Sequence, residues 1–288
     1  MSAAPDRLLF GVAGIPEGCP EDSSLKAISY LSQTGLEALE LEFVHGLKMA
    51  GETANLVKLT AQQHNIKISA HAPYFINLGA EDQGKKMQSQ EMLLKSLRIA
   101  AAAGASDLVF HGGYYGLKAP EETYLQVKKS LKEILSIGRS ERVSTKLRIE
   151  VMGKKKQFGS LEEVLSLCRE LEGLYPCLDF AHIFARDGRI NSYRDFYQVL
   201  EKVAKKLGKA ALKNAHIHIS GVKYNQTGEL NHLNLEESEF RYDEWLQALD
   251  DIGVKGTIIC ESPSLTSDAL MLKNLYRSMR EKRQPLIF

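Results

Sequence analysis

The sequence is short of several things. Its 288 residues hold no apolar run of membrane-spanning length, and Met1 to Asp6 lacks the apolar core of a secretory leader. Cysteine is scarce and scattered. Cys19, Cys168, Cys177 and Cys260 form no C-x-x-C pair and no zinc-ribbon spacing, so they read as reduced thiols of a cytoplasmic protein. Net charge is almost absent, with Lys+Arg 37 against Asp+Glu 36. The chain is therefore no polycation, and nucleic-acid binding has to come from charge gathered on one face. No Pro/Ser-rich linker or break in composition marks a domain boundary. The turn Gly11-Val12-Ala13-Gly14-Ile15-Pro16 lacks the G-x-G-x-x-G spacing of a dinucleotide-binding sheet. With 44% apolar and 25% charged residues, the composition also excludes a disordered tail, a collagen-like rod and a small disulfide scaffold.

What is present is an alternation of β-branched, apolar runs with segments of helical period. The predicted strands are Leu8–Gly14, Ala38–Phe43, Lys67–Pro73, Asp107–Gly113, Lys146–Met152, Pro176–His182, Ala215–Gly221 and Gly256–Ser262. Between them, Ser160-Leu161-Glu162-Glu163 forms a capping box ahead of Leu161, Val164, Leu165 and Cys168 at helical spacing. Ser267 is placed to cap a last helix carrying Leu272, Leu275, Tyr276 and Met279, and Gly35 and Gly104 sit where helices stop. Eight strand–helix units without a linker predict one α/β domain over 1–288, a single (β/α)₈ TIM barrel. A doubly wound open sheet is the runner-up.

The predicted strand ends carry unusual residues: Glu42, His71, His111, Glu150, Asp179, His182, His218 and Glu261, with His232 in a following loop. Any one of them alone reads as a hydrogen-bonded or solvated side chain. Together at one barrel mouth the carboxylates would repel, and burying unpaired charge costs several kcal/mol. No Arg or Lys stands at those ends to compensate. Divalent metals fit: imidazole with carboxylate suits Zn2+, with Mn2+ or Fe2+ as alternatives, and the surplus of ligands predicts two or three ions bridged by Glu150. Strand alternation turns His216 and His218 inward, His218 nearer the mouth as a ligand and His216 one layer down as a core residue. His64 reads as an exposed helix end, and His45 as either ligand or loop residue. Lys154, Lys155 and Lys156, with Lys85, Lys86, Lys118 and Lys223, fall in loops on the metal side. Solvated loops and a polyanion partner both account for them. Tyr74-Phe75 and Tyr114-Tyr115 read as a cap on the mouth or as stacking surfaces for bases.

Four segments carry a family resemblance. Ser69-Ala70-His71-Ala72-Pro73-Tyr74-Phe75-Ile76-Asn77-Leu78, Cys177-Leu178-Asp179-Phe180-Ala181-His182, His218-Ile219-Ser220-Gly221-Val222-Lys223 and Ile259-Cys260-Glu261-Ser262-Pro263 resemble motifs of the endonuclease IV family of apurinic/apyrimidinic endonucleases. The order is the family's, and the broader group of xylose-isomerase-like barrels shares the architecture. The resemblance implies a trinuclear zinc site that hydrolyses the phosphodiester 5′ to an abasic deoxyribose in double-stranded DNA. Carried over, His71, His111 and Glu150 hold one zinc, and Glu150 bridges to a second held by Asp179, His218 and Glu261. His182 and His232 hold the third. Glu150 and Glu261 are the catalytic carboxylates, Glu261 orienting the hydroxide that attacks phosphorus. Tyr74 and Phe75 match the DNA-inserting pair. Apart from the resemblance, the loop position of Lys154, Lys155 and Lys156 suits contact with the DNA backbone, and the chain is expected to be a monomer.

The chain also departs from the pattern. Leu230 stands where the family has the third zinc's Asp, and Glu229 is one residue out of register. Val44-His45-Gly46-Leu47-Lys48 replaces an Arg-containing segment that enters DNA, and the first strand lacks the family's His. Two other functions stay open. A metal-dependent isomerase or epimerase of a small sugar needs one or two metals and a closed pocket, and a nucleic-acid-binding barrel would keep metals for structure alone. The Arg280-Glu281-Lys282-Arg283 run reads as a helix end.

Overall fold

The computed structural model describes residues 6–43, 46–47 and 49–283. The β-branched runs extend as parallel strands β1 (Leu8–Ala13), β2 (Ala38–Glu42), β3 (Lys67–His71), β4 (Asp107–Phe110), β5 (Lys146–Glu150), β6 (Leu174–Asp179) and β7 (Ala215–Ile219). A short antiparallel pair comes next, β8 (Gly221–Asn225) and β9 (Gly228–Leu233), before the last parallel strand, β10 (Gly256–Cys260). The eight parallel strands close in the order β1-β10-β7-β6-β5-β4-β3-β2, so the expected (β/α)₈ barrel holds and an open sheet is excluded. Among the described residues no helix is long and apolar enough to cross a membrane.

Helices α1 (Ser24–Thr34), α2 (Gly51–His64), α3 (Gln83–Ala102), α4 (Pro120–Ser140), α5 (Leu161–Glu170), α6 (Phe180–Asp187), α7 (Tyr193–Leu207), α8 (Tyr242–Ile252) and α9 (Leu265–Arg283) alternate with the strands. Their apolar stripes cover the sheet, as Phe196, Val199, Leu200 and Val203 of α7 show at helical spacing. The Ser160 capping box forms, with Ser160 Oγ and Glu163 satisfying each other's backbone N–H. Gly35 ends α1 in the left-handed conformation. Ser267 does not cap α9, which starts two residues earlier at Leu265. Lys85 and Lys86 lie in the first turn of α3, where Asp82 caps the Lys85 N–H at 2.7 Å, rather than in a loop.

Predicted strands begin where expected, except that β6 starts at Leu174. Each ends one to three residues early, because the chain leaves the ladder as it delivers mouth residues into loops. His182 is the clearest case. It belongs to the first turn of α6, not to a strand, and Asp179 is that helix's cap, accepting the His182 N–H at 2.7 Å.

Barrel interiors are usually filled by branched apolar side chains. This one buries Glu40, Ser69, Asp107, Arg148 and His216, each at most 2% exposed. Arg148 pairs with Asp107 and donates to the carbonyls of Pro176 (3.0 Å) and Asn214 (2.9 Å), so the buried guanidinium is met on several sides.

Candidate metal centre at the barrel mouth

Side chains alternate along a strand, so His71, Glu150, Asp179 and His218 share the lumen face with the residues two places before them. They meet at the mouth in overlapping groups. His71, His111 and Glu150 form one, Glu150, Asp179, His218 and Glu261 a second, and His182, Glu229 and His232 a third, each with candidate ligand atoms within 4.8 Å of one another. Every ligand predicted from sequence is brought together, with Glu150 common to two groups. His71 Nε2 and His111 Nε2 stand 3.1 and 2.9 Å from Glu150 Oε2. His218 Nδ1 stands 3.2 Å from Glu261 Oε1 and 3.6 Å from Glu150 Oε1.

The histidines are held as metal ligands are held. A ligating imidazole commonly donates its other N–H to a carbonyl or carboxylate, which fixes tautomer and ring plane. His71 Nδ1 bonds the Ala72 carbonyl at 2.7 Å, His182 Nδ1 that of Val151 at 3.0 Å, and His232 Nδ1 that of Glu261 at 3.0 Å. His218 Nε2 lies 2.9 Å from Glu40 Oε1. Each therefore leaves its second nitrogen facing the cluster. Asp179 Oδ2, a buried carboxylate oxygen, has no hydrogen-bond donor among the described residues. The donor set, its bracing and this orphaned oxygen fit divalent cations.

Proton affinities agree. Burial lowers a histidine, yet at His71 the bond to and charge of Glu150 outweigh it and push the imidazole up to about 10. Burial, with Glu150 and Glu261 nearby and against the pull of His182, pushes Asp179 up to about 6. Glu42 opens to solvent but is walled in by the mouth; that enclosure, against the pull of His71, pushes it up to about 8. Burial also opposes charge on Glu150, but His111, His182 and His218 around it hold it well below the usual range. His111 goes the other way, burial lowering it. On balance the site retains protons that water would take. Neighbouring carboxylates do this at His71 and burial does it at Asp179 and Glu42, and metals displace such protons on binding.

The third group repairs the departure at Leu230. The ladder of the β8–β9 hairpin pairs Tyr224 with Glu229 and Lys223 with Asn231, so Leu230 has no partner and bulges outward, 44% exposed. A bulge adds one residue to its strand without changing the face of the residues beyond it. Glu229 and His232, three apart in sequence, therefore share a face as residues two apart would. Glu229 Oε2 reaches His182 Nε2 at 3.3 Å, and its Oε1 reaches His232 Nε2 at 3.8 Å. Two glycines permit the approach. A Cβ on Gly153 would meet Glu229 Cβ at 2.8 Å and His182 Cδ2 at 2.9 Å, and Gly228 (φ +100°) lies against the Gly153 carbonyl.

Around this centre, Tyr74 and Phe75 follow β3 half-exposed, at 49% and 51%, with their rings edge to face at 6.2 Å. Lys155 and Lys156 project from the loop after β5. Lys154, beside them, bridges to Gly228 and has its amine 4.0 Å from Glu229. Arg186 of α6 fixes that loop, donating to the carbonyls of Met152, Lys154 and Gln157 at 2.8–3.3 Å. Nothing in the sequence marks Arg186, since its partners are backbone carbonyls and the Tyr115 hydroxyl. Lys118 turns its amine to Gln126. Tyr115 spends its hydroxyl on Glu163 at 2.8 Å, leaving Tyr114 the open ring of that pair. His216 is the expected core histidine, bonded to Glu40 Oε2 at 2.8 Å. His64 ends α2 as expected but is half-buried against Ser29 rather than exposed. Val44, His45 and Lys48 lie outside the described residues.

The family described as "Xylose isomerase-like TIM barrel" matches residues 28–282. An uncharacterized protein of Methanocaldococcus jannaschii is 42% identical over 273 residues, 94% of this chain and 98% of that protein. A probable endonuclease 4 of Mycoplasma pneumoniae is 27% identical over 216 residues, 70% of this chain and 71% of that protein. Two solved structures share the fold. Endonuclease IV from Thermus thermophilus gives a TM-score of 0.73 at 20% identity, over 96% of this chain and 99% of that one. A D-tagatose 3-epimerase-like protein gives 0.72 at 18% identity, over 95% and 97%.

Proposed function

The chain belongs to the xylose isomerase-like TIM barrel family, and from that premise we propose that it is a divalent-metal-dependent phosphodiesterase incising double-stranded DNA 5′ to abasic sites. One observation carries this reading: nine side chains form three ligand groups, two of which share Glu150. Chemistry on a small sugar with one metal would be served by Glu150, Asp179, His218 and Glu261 alone. His71 with His111, and His182 with Glu229 and His232, would then be buried acids and imidazoles without a task.

The mixed imidazole and carboxylate donors suit zinc, which supplies Lewis acidity toward the phosphodiester and its attacking water. Glu150, shared by two groups, fixes their spacing. Glu261 is 15% exposed, while Asp179 and His218 beside it are closed off. Within its ligand group it is the carboxylate that incoming water meets, so it orients the attacking water and accepts its proton. Tyr74 and Phe75 wedge beside the lesion, and Lys154, Lys155 and Lys156 hold backbone phosphates.

A second reading, a metal-dependent epimerase of a small sugar, is favoured by one feature. Glu42 and Glu261 have carboxylate oxygens within 4.8 Å, an arrangement able to pass a proton across a carbon. The two readings separate on a duplex oligonucleotide carrying one tetrahydrofuran residue. Zinc-loaded protein is expected to cut it, and His71→Ala or Glu261→Gln to lower the rate about 100-fold or more. An uncut duplex together with interconversion of a ketose would hand the site to the epimerase.

A further inference from the structure

The end of the barrel opposite the metal centre carries the reverse charge problem. Lys67 opens β3, Asp107 opens β4 and Lys146 opens β5, so one carboxylate stands between two lysines on adjacent strands. Arg148, two residues along β5 from Lys146, shares its face. Three cations thus meet one acid, and that acid is spent. Asp107 Oδ1 takes Arg148, and Oδ2 accepts the Ser106 hydroxyl at 2.6 Å. The Lys67 amine is 3.9 Å from Oδ2, beyond hydrogen-bond range, on a side chain 17% exposed. The Lys146 amine lies 5.4 Å from the centre of the Tyr175 ring and has no ion pair among the described residues. Burial pushes both amines below their ordinary value, and Arg148 adds to this against the pull of Asp107.

In front of these groups is a cavity of about 960 Å³ that Lys58 and Arg139 also line, neither of them ion-paired among the described residues. Two acids, Asp6 and Glu172, lie on its wall, and neither pairs with these cations; Arg7, on the same wall, is taken by Glu37. The volume lies at the upper end of the roughly 300–1,000 Å³ of small-molecule sites.

We propose that this floor cavity is a second binding site, for a small phosphate-bearing anion, with Lys67 and Lys146 at its base and Lys58 and Arg139 at its rim. The anion supplies the negative charge that Asp107 cannot, and the Tyr175 hydroxyl is a neutral donor beside it. The site is independent of the reaction at the mouth.

Phenyl phosphate titrated calorimetrically into the metal-loaded protein at low salt tests it. Beside any binding at the metal centre, one saturable site is expected, weakened about ten-fold or more by Lys146→Gln and by Lys58→Gln, the loss of a charge-assisted hydrogen bond. Lys58 is on the exposed face of α2, so its variant keeps the test valid if the β5 change perturbs folding. His71→Ala, at the mouth, is expected to leave this binding intact. Absence of saturable binding overturns the proposal, as does binding lost in His71→Ala but unchanged in both lysine variants.

Discussion

Glu40 illustrates what a single residue can hide. It sits in Ala38-Leu39-Glu40-Leu41-Glu42, an alternating pattern that reads as a half-solvated strand. Closure of the barrel turns that polar face inward instead, so Glu42 opens on the mouth and Glu40 is fully buried beneath it. Sequence reading picks out Glu42 for its position at a strand end and passes over Glu40. Yet Glu40 accepts hydrogen bonds from Ser69 (2.7 Å) and His216 (2.8 Å), and its other oxygen stands 2.9 Å from His218 Nε2. Its part is to fix His218 with Nδ1 toward the cluster. Glu40→Gln keeps an acceptor but loses the charge, and is expected to weaken zinc in the second ligand group about 10- to 100-fold. A zinc competition titration reads this directly. Incision should fall only at limiting zinc and return with excess; a loss that excess zinc does not restore would mean the carboxylate merely supports the fold. The predicted ligands were legible because histidines and acids at strand ends stand out against apolar runs. Glu40 was not, because its burial follows from closure.

At the scale of elements, strand starts were legible and strand ends were not. An apolar run announces its beginning, whereas its end depends on where the neighbouring strand stops pairing. The same limit obscured the third ligand group. The period of a strand puts Glu229 and His232 on opposite faces, and only the partner strand reveals the bulge at Leu230 that brings them together. Leu230 is thus a spacer. Deleting it should leave a regular hairpin with the Glu and His two apart on one face, and if each of the three ligand groups holds one zinc, elemental analysis should give three zincs per chain in the deletion variant as in the parent. His232→Ala should bind two. A fall to two zincs on deleting Leu230 would show that the bulge itself, not the shared face, makes the site. Gly153→Val tests the other wall: its side chain would intrude on Glu229 and His182, and the same count should drop.

Over the whole molecule, a net charge of +1 conceals a polar distribution. Acids gather at the mouth, where metals would neutralise them, and lysines gather on the loops around it and at the floor. Between the two ends lies the buried Asp107–Arg148 pair, and its pH dependence is a property of the entire fold. Burial alone would raise the Asp107 carboxyl, but Arg148 reverses this and holds it well below the usual range. A carboxylate so depressed stabilises the folded state above its unfolded pKa of about 3.9, and that contribution is lost as pH falls toward the folded value. Asp107→Asn leaves Arg148 buried without its counter-ion and is expected to cost about 3–5 kcal/mol near neutral pH. Denaturant unfolding of both proteins should show a gap that is constant from about pH 5 to 8 and narrows below about pH 4, where the native carboxylate begins to give up its advantage. Taking the difference between the two proteins cancels the titration of the mouth, which they share. A gap of equal size at pH 3 and pH 7 would assign the loss to packing and not to the ion pair.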